Sequence, residues 1–314
     1  NVLCFYPVKS ADAINQLMNY LRSRFGKNGV TVRRLDDGES NLFLGLEWQF
    51  DRNAGTCKVH QTTYLRDLLD ETRLTNCKPE KSPSVVNGHL PKHDKDEKDP
   101  MYARLVGRIA WLRNTRMDIA YANKELGRHL VRNGAPHMEA VRKCLRYLRG
   151  KPNEGVMLRK VDPKDMRLRV YVDASYGECL DTRKSTTGIV LTLGTSVIHF
   201  QSVTQKTVAI SSCEAEFNAM IEGAKVGIRY QSALEDLGII SPQPLELYSD
   251  SQSAILLTRR DRPSNPSKHY GVRFFKMKEY IENSSVTLTY EPTDTMIADG
   301  LTKQLGPLKA EQFL

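Results

Sequence analysis

The sequence lacks long hydrophobic runs. No apolar stretch approaches the ~18 residues that a membrane-spanning helix needs, which argues against an integral membrane protein. The six cysteines are scattered, with no Cys-x-x-Cys pair and no histidine at zinc-finger spacing. Free thiols in a reducing compartment are therefore favoured over disulfides or a zinc site. Hydrophobic residues make up 40% and charged residues 26% of the chain, which argues against disorder along its whole length.

The start of the chain also lacks an initiator methionine and a secretion signal. It opens at Asn1, and its first residues read like the inside of a strand. We therefore expect a fragment of a longer polyprotein. Its 314 residues are enough for two or three domains, each with a core of its own.

Positive charge is concentrated in one stretch. The net charge is +9, and residues 101–160 hold 14 Lys and Arg against four Asp and Glu, so the rest of the chain is close to neutral. Within this stretch a predicted helix carries Arg142, Arg146 and Arg149 in a stripe beside an apolar face. The stripe is either a solvated helix surface or a surface for a polyanion, and the concentration of charge favours the polyanion.

Hydrophobic periodicity and turn residues divide the chain into two parts. The first part is predicted to contain a helix over 10–25, a hairpin with strands over 39–50 and 55–61, a helix over 62–74 and, after a proline-rich linker, helices over 101–113, 117–133 and 137–150. The second part is predicted to contain strands over 168–173, 187–193, 197–201, 245–249 and 286–290, and helices over 212–237, from 251, over 268–283 and over 295–305. This second order predicts an α/β domain with a mixed sheet.

Four acidic residues of the second part lie at the ends of predicted strands or near the starts of predicted helices: Asp173, Glu216, Asp250 and Asp299. Side chains from four such positions can converge above one edge of the sheet. Like charges at one place are unfavourable unless divalent cations bind there, and Mg²⁺ prefers oxygen ligands. Two such ions about 4 Å apart would support in-line hydrolysis of a phosphodiester. Each acid also has an ordinary alternative role, as a turn residue, a helix-start charge, an N-cap or a surface acid.

Five ordered blocks make the second part recognisable: Tyr171-Val-Asp-Ala-Ser, Asp181-Thr-Arg-Lys-Ser-Thr-Thr-Gly, Ala209-Ile-Ser-Ser-Cys-Glu-Ala-Glu-Phe-Asn-Ala, Ser249-Asp-Ser-Gln-Ser-Ala and Ile297-Ala-Asp-Gly-Leu-Thr-Lys. They resemble the ribonuclease H domain of copia-type LTR retrotransposon Pol polyproteins. Upstream, Phe43-Leu-Gly-Leu is similar to the hairpin that follows this family's polymerase active site. Leu145-Arg-Tyr-Leu-Arg-Gly is similar to its thumb and connection region.

The resemblance implies a multidomain α/β fold with four segments. Residues 1–78 would be a remnant of the reverse transcriptase palm, with a primer-grip-like hairpin and the first thumb helix, and residues 79–100 a linker. Residues 101–160 would be a basic helical thumb and connection region. Residues 166–314 would be a ribonuclease H domain, a ribonuclease H-like mixed five-stranded sheet with flanking helices.

The resemblance also implies an activity, the cleavage of the RNA strand of RNA:DNA hybrids. The family's four catalytic and metal-binding acids fall on the four acids named above, with two Mg²⁺ ions, or Mn²⁺, as cofactors. Glu216 matches the family's motif better than Glu214. Two helical residues at i and i+2 do not share a face, so Glu214 is not expected to join the same site.

Three further residues are expected to contact the hybrid, together with the arginine stripe of 137–150. Gln252 matches a position that reaches toward the hybrid in retroviral relatives, and its alternative is a surface amide at a helix start. Arg183 and Lys184 lie on the first predicted hairpin of the domain and could meet phosphates; their alternative is a solvated turn.

Some features of the family are missing. Its polymerase carries an aromatic-x-Asp-Asp strand upstream of Phe43, and no aromatic-x-Asp-Asp motif precedes Phe43 here, so polymerase activity is not expected. The upstream palm and fingers of the full polyprotein are expected partners. The expected location is inside the cell, in the cytoplasm, the nucleus or a virus-like particle of the element. The oligomeric state stays open.

Two alternatives remain. The first is a catalytically inactive, decayed or repurposed nucleic-acid-binding remnant of the same polyprotein, although four intact acids weigh against it. The second is a transposase-like or integrase-like nuclease, which would need a glutamate as its last acid on the terminal helix. Asp299 fits the ribonuclease H order instead.

Overall fold

The structure, a computed structural model, describes residues 11–26, 38–84, 89–93, 98–262 and 268–304. The strand-like start of the chain and residue 305, the end of the predicted last helix, lie outside these ranges. Among the helices of the described ranges, none combines the length and the apolar character that crossing a membrane requires.

The first part contains a helix, three strands and a second helix: α1 (Ala11–Phe25), β1 (Ser40–Phe43), β2 (Leu46–Asp51), β3 (Thr56–His60) and α2 (Thr62–Glu71). The single strand predicted over 39–50 is wrong, because the chain turns back within it. Leu44 and Gly45 both adopt positive φ angles, 52° and 77°, and this tight turn makes β1 and β2 antiparallel neighbours.

The basic stretch forms three helices: α3 (Pro100–Leu112), α4 (Ala120–Gly127), which follows a 3₁₀ turn at Met117–Ile119, and α5 (Ala135–Gly150). With α2 they bury one core, in which Leu68, Tyr102, Ile109 and Leu145 are almost fully buried. The helix predicted to continue to residue 133 ends at Gly127, since glycine is a weak helix former and turns follow it.

The next strand, β4 (Gly155–Arg159), was not predicted. It pairs antiparallel with β3 and completes a four-stranded sheet in the order β1-β2-β3-β4. The segment boundaries at 78, 100 and 160 stay a prediction. A strand from the end of the predicted thumb and connection region nevertheless belongs to the same sheet as the predicted palm hairpin.

The second part carries the other five strands and three helices: β5 (Leu168–Ser175), β6 (Thr186–Leu193), β7 (Ser196–Thr204), α6 (Ser212–Asp236), β8 (Leu245–Ser249), α7 (Gln252–Leu257), α8 (Lys268–Glu282) and β9 (Val286–Tyr290). The sheet order is β7-β6-β5-β8-β9, antiparallel from β5 to β7 and parallel from β5 to β9. The predicted ribonuclease H-like mixed five-stranded sheet with flanking helices is confirmed.

The last predicted helix is wrong. Of the residues 295–304 that the structure describes, only Asp299–Leu301 are helical, and they form a single 3₁₀ turn. Ala298 and Leu301 are buried in a small cluster with Val190 of β6, so this turn packs against β6.

Helix α6 lies close against the sheet because it carries glycines on its inner face. A Cβ at Gly223 would lie 2.3 Å from Cγ1 of Val172 in β5, which is too short for two carbon atoms. Phe217, Met220 and Ala224 of the same helix are fully buried against the sheet. This contact sets the distance between α6 and β5, the strand that carries Asp173.

Candidate active site

Three of the four predicted acids meet at one edge of the five-stranded sheet. Asp173, Glu216 and Asp250 each offer a carboxylate oxygen, and these oxygens lie within 4.8 Å of one another. Asp173 is in β5, and Asp250 directly follows β8. Because β5 and β8 are parallel, their carboxyl ends lie at the same edge of the sheet. Glu216 reaches that edge from α6.

The start of α6 separates the roles of its two glutamates. The Ser211 hydroxyl accepts a hydrogen bond from the Glu214 backbone N–H (3.1 Å), and the Ile210 N–H donates to Oε2 of Glu214 (3.0 Å). Glu214 is therefore used in capping the helix. Glu216 instead belongs to the acidic cluster, and its Oε2 is buried without a hydrogen-bond partner in the described part of the chain.

Asp299 lies beside this cluster, on the 3₁₀ turn. It is buried, and its carboxylate pairs with the ammonium group of Lys303. The neighbouring Thr302 hydroxyl donates to Asp173, which ties the turn to β5. A glycine makes this approach possible. Gly188 is the β6 partner of Asp173, and a Cβ there would lie 2.8 Å from the Ala298 carbonyl oxygen.

The electrostatics of the cluster are those of crowded, buried acids. Burial raises the pKa of Glu216 to about 9, and the charges of Asp173 and Asp250 act in the same direction. Burial also raises the pKa of Asp173; the hydrogen bond from Thr302 opposes this effect and the charges of Asp250 and Asp299 add to it. With a pKa of about 9, Glu216 would hold a proton at neutral pH without a cation.

The donor set fits a divalent cation. Carboxylate oxygens are the ligands that Mg²⁺ and Mn²⁺ prefer, and a positive ion among them would offset the burial that disfavours their charged forms. The buried Oε2 of Glu216 is free of protein hydrogen bonds in the described residues, which leaves it available to an ion. Asp250 is oriented by the Thr293 hydroxyl, which donates to its Oδ2 (2.8 Å).

The predicted hybrid-binding residues of the second part have different settings. Gln252 is exposed at the first turn of α7, two residues after Asp250. Arg183 is exposed in a turn with a positive φ of 53°, and Lys184 next to it is half-buried. The turn is closed by backbone hydrogen bonds from Arg183 N to Cys179 O (2.7 Å) and from Cys179 N to Lys184 O (3.1 Å).

The arginine stripe lies on α5 as predicted, but its members are not equally accessible. Arg142 is 61% exposed, at 3.8 Å from Glu139. Arg146 pairs with Glu80 (2.9 Å) and donates to the carbonyl oxygen of Lys78. Arg149 donates to the carbonyl oxygen of Thr75 (3.0 Å). Two of the three arginines thus hold the segment 75–80 against α5.

Comparison with known proteins identifies the family. Over 287 residues, 88% of the chain, it is 33% identical to the Retrovirus-related Pol polyprotein from transposon TNT 1-94 of Nicotiana tabacum. Over 280 residues, also 88% of the chain, it is 29% identical to the Retrovirus-related Pol polyprotein from transposon RE1 of Arabidopsis thaliana. The chain belongs to the Pol polyproteins of copia-type retrotransposons.

The copia-type Pol chain spans about a fifth of the length of these relatives, 21% and 19% respectively. No protein-family model matches it. Its backbone resembles that of a foamy viral protease-reverse transcriptase (dRH) in complex with ds DNA, with a TM-score of 0.51 at 15% sequence identity, over 93% of this chain and 44% of that one. This likeness shows a shared fold.

Sequence reasoning missed two residues of the Pol site, Thr302 and Lys303. Both stand in the block Ile297-Ala-Asp-Gly-Leu-Thr-Lys, three and four residues after Asp299. A helix over 295–305 would already place Lys303 on the same face as Asp299, so the sequence contained a signal for this pair. It contained none for the contact of Thr302 with Asp173 in β5, which the observed 3₁₀ turn makes.

Proposed function

We propose that residues 166–314 of this Pol chain form a ribonuclease H domain that hydrolyses the RNA strand of RNA:DNA hybrids. The observation that carries the proposal is the convergence of Asp173, Glu216 and Asp250 at one edge of the ribonuclease H-like sheet. These acids come from the sequence blocks that resemble the family's ribonuclease H domain. Within the polyprotein, the upstream palm and fingers would supply the polymerase, and the hydrolytic domain would act in the same intracellular particle.

In this proposal Asp173, Glu216 and Asp250 hold Mg²⁺ or Mn²⁺, and Asp299 joins them from its turn. Two such ions, when bound, activate a water molecule and stabilise the leaving oxygen of a phosphodiester. The chain's own contribution is to hold the carboxylates at one place. Thr302 and Thr293 do this by donating hydrogen bonds to Asp173 and Asp250.

The substrate would contact two surfaces of the chain, one on the domain that carries the acids and one on α5. Gln252, Arg183 and Lys184 lie on the same domain as the acids, and the 2′-hydroxyls of the RNA strand would be read across the wide minor groove. The arginines of α5 would contact phosphates, chiefly through the exposed Arg142. Arg146 and Arg149 would add only the N–H donors that they do not use on segment 75–80, since a guanidinium has five.

The test is cleavage of a hybrid with labelled RNA by the full 314-residue chain, with and without Mg²⁺ or Mn²⁺. We expect metal-dependent cleavage of the RNA strand, abolished by Asp250→Asn. Glu214→Gln is the matched control. Glu214 lies two residues before Glu216 and caps the helix, so this variant should keep the activity. Circular dichroism would confirm that both variants fold.

Two results would contradict the proposal. Equal cleavage by Asp250→Asn would refute the site assignment. Binding of the hybrid without cleavage at any metal concentration would favour the inactive nucleic-acid-binding remnant.

A further inference from the structure

Lys303 places a positive charge at the edge of the acidic cluster. Its ammonium group pairs with the Oδ1 atom of Asp299, four residues earlier, and its side chain is 49% exposed whereas that of Asp299 is 10% exposed. The pair thus has a buried acid on the cluster side and a half-exposed ammonium group on the other.

The backbone next to Lys303 is tied to the cluster on the Thr302 side. The single hydroxyl proton of Thr302 is donated to Asp173, and the same hydroxyl oxygen lies 3.1 Å from the carbonyl oxygen of Asp299. The charge of Lys303 acts beyond Asp299, because it opposes the burial that raises the pKa of both Asp173 and Glu216. The charges of Asp299, Asp173 and Asp250 in turn act to raise the pKa of Lys303, so one ammonium group acts on all four acids.

We propose that Lys303 is a tethered counter-ion of the active site, which occupies the carboxylate of Asp299 until a divalent cation displaces it. The inference rests on the proposed function, because it requires that the acids bind metal. Both cations need the same Asp299 oxygens, and the long, half-exposed lysine side chain can swing into solvent when an ion arrives. Lys303 thereby weakens metal binding and stabilises the metal-free site.

The test measures Mn²⁺ binding to the full chain without nucleic acid, by electron paramagnetic resonance or calorimetry. Lys303→Met should bind Mn²⁺ about two- to fivefold more tightly than the parent chain, the factor that an ion pair with a half-exposed lysine is worth. Lys303→Arg should restore the parent affinity, because the charge returns. Lys225→Met is the matched control, since it removes a lysine from an exposed pair with Glu222 on α6, and its affinity should not change.

A second variant shows whether Asp299 is the shared ligand. In an Asp299→Asn background, Lys303→Met should give a smaller gain in Mn²⁺ affinity, because the competition at Asp299 has been removed and only the longer-range effect of the lysine charge on the other acids remains. In thermal unfolding without metal, Lys303→Met should melt below the parent chain, and saturating Mn²⁺ should raise its melting temperature more than that of the parent.

The outcomes separate this inference from the proposed function. Unchanged or weaker Mn²⁺ binding by Lys303→Met, while the parent chain binds Mn²⁺, overturns the counter-ion role and leaves the metal site standing. An equal gain in the Asp299→Asn background overturns the competition at Asp299. Absence of Mn²⁺ binding in every variant overturns both the inference and the metal-dependent function.

Discussion

Arg116 is one of the largest fully buried side chains of the described chain. Its guanidinium donates twice to Asp118 (2.9 and 2.6 Å) and once to the carbonyl oxygen of Lys151 (2.7 Å), and the Tyr147 hydroxyl donates to the same carboxylate (2.7 Å). By sequence Arg116 counts among the 14 basic residues that suggest a polyanion surface. Its burial shows that residue counts cannot separate structural from binding charges.

We expect Asp118→Ala to destabilise the chain by about 3–5 kcal/mol, because Arg116 would keep its charge without its buried partner. Urea unfolding would measure the loss. Glu139→Ala, which breaks the exposed pair with Arg142, is the control and should cost about 0–1 kcal/mol. Similar losses for the two variants would mean that the buried pair contributes no more than a surface pair.

At the scale of elements, the sequence predicts best the helices and strands whose own residues show a clear hydrophobic period. The alternation of β5 and the helical period of α6 suffice to place Asp173 and Glu216, and both elements are observed. Strand β4 was missed because its partner β3 lies almost one hundred residues earlier, and no local pattern records such a pairing. The turn that brings Thr302 to Asp173 was missed because its shape depends on packing against Gly188.

The contact between α6 and the sheet gives a prediction for this scale. Gly223→Ala should destabilise the chain by about 1–3 kcal/mol, since the added methyl group meets Val172 at 2.3 Å. Gly107→Ala in α3 is the matched control, because no atom lies within 4 Å of its added Cβ. It should stabilise the chain by about 0.4–1 kcal/mol through helix propensity. Denaturation midpoints would measure both, and equal shifts in the same direction would contradict the close approach.

At the scale of the whole molecule, some of the basic side chains make contacts within the chain and others are exposed to solvent. The basic stretch has a net charge of +10. Arg116 is buried, and Arg146 and Arg149 bind the segment 75–80. The surface left for a nucleic acid is therefore smaller than the sequence suggests, and Arg142 is its most exposed member on the stripe of α5.

This division predicts the salt dependence of hybrid binding. Arg142→Gln should weaken binding and reduce the slope of log affinity against log salt by about 1, as expected for one lost phosphate contact. Arg149→Gln should change the slope less, because its guanidinium is partly engaged with Thr75. Binding titrations at several salt concentrations would measure both, with Lys225→Gln as the control. A larger change for Arg149 than for Arg142 would reverse the assignment.

The pairing of β4 with β3 closes residues 56–159 into a loop before the second part of the chain begins. The register joins His60 to Gly155, and the Arg159 backbone N–H donates to Ser196 of β7 (2.8 Å). The same short strand is therefore the edge of one sheet and a neighbour of the other. If the chain were cut in the segment 79–99, its two pieces would still share a sheet and would remain together as a non-covalent complex. Folding of the four-stranded sheet, in turn, has to wait until the four helices α2 to α5, between its last two strands, have brought their ends together.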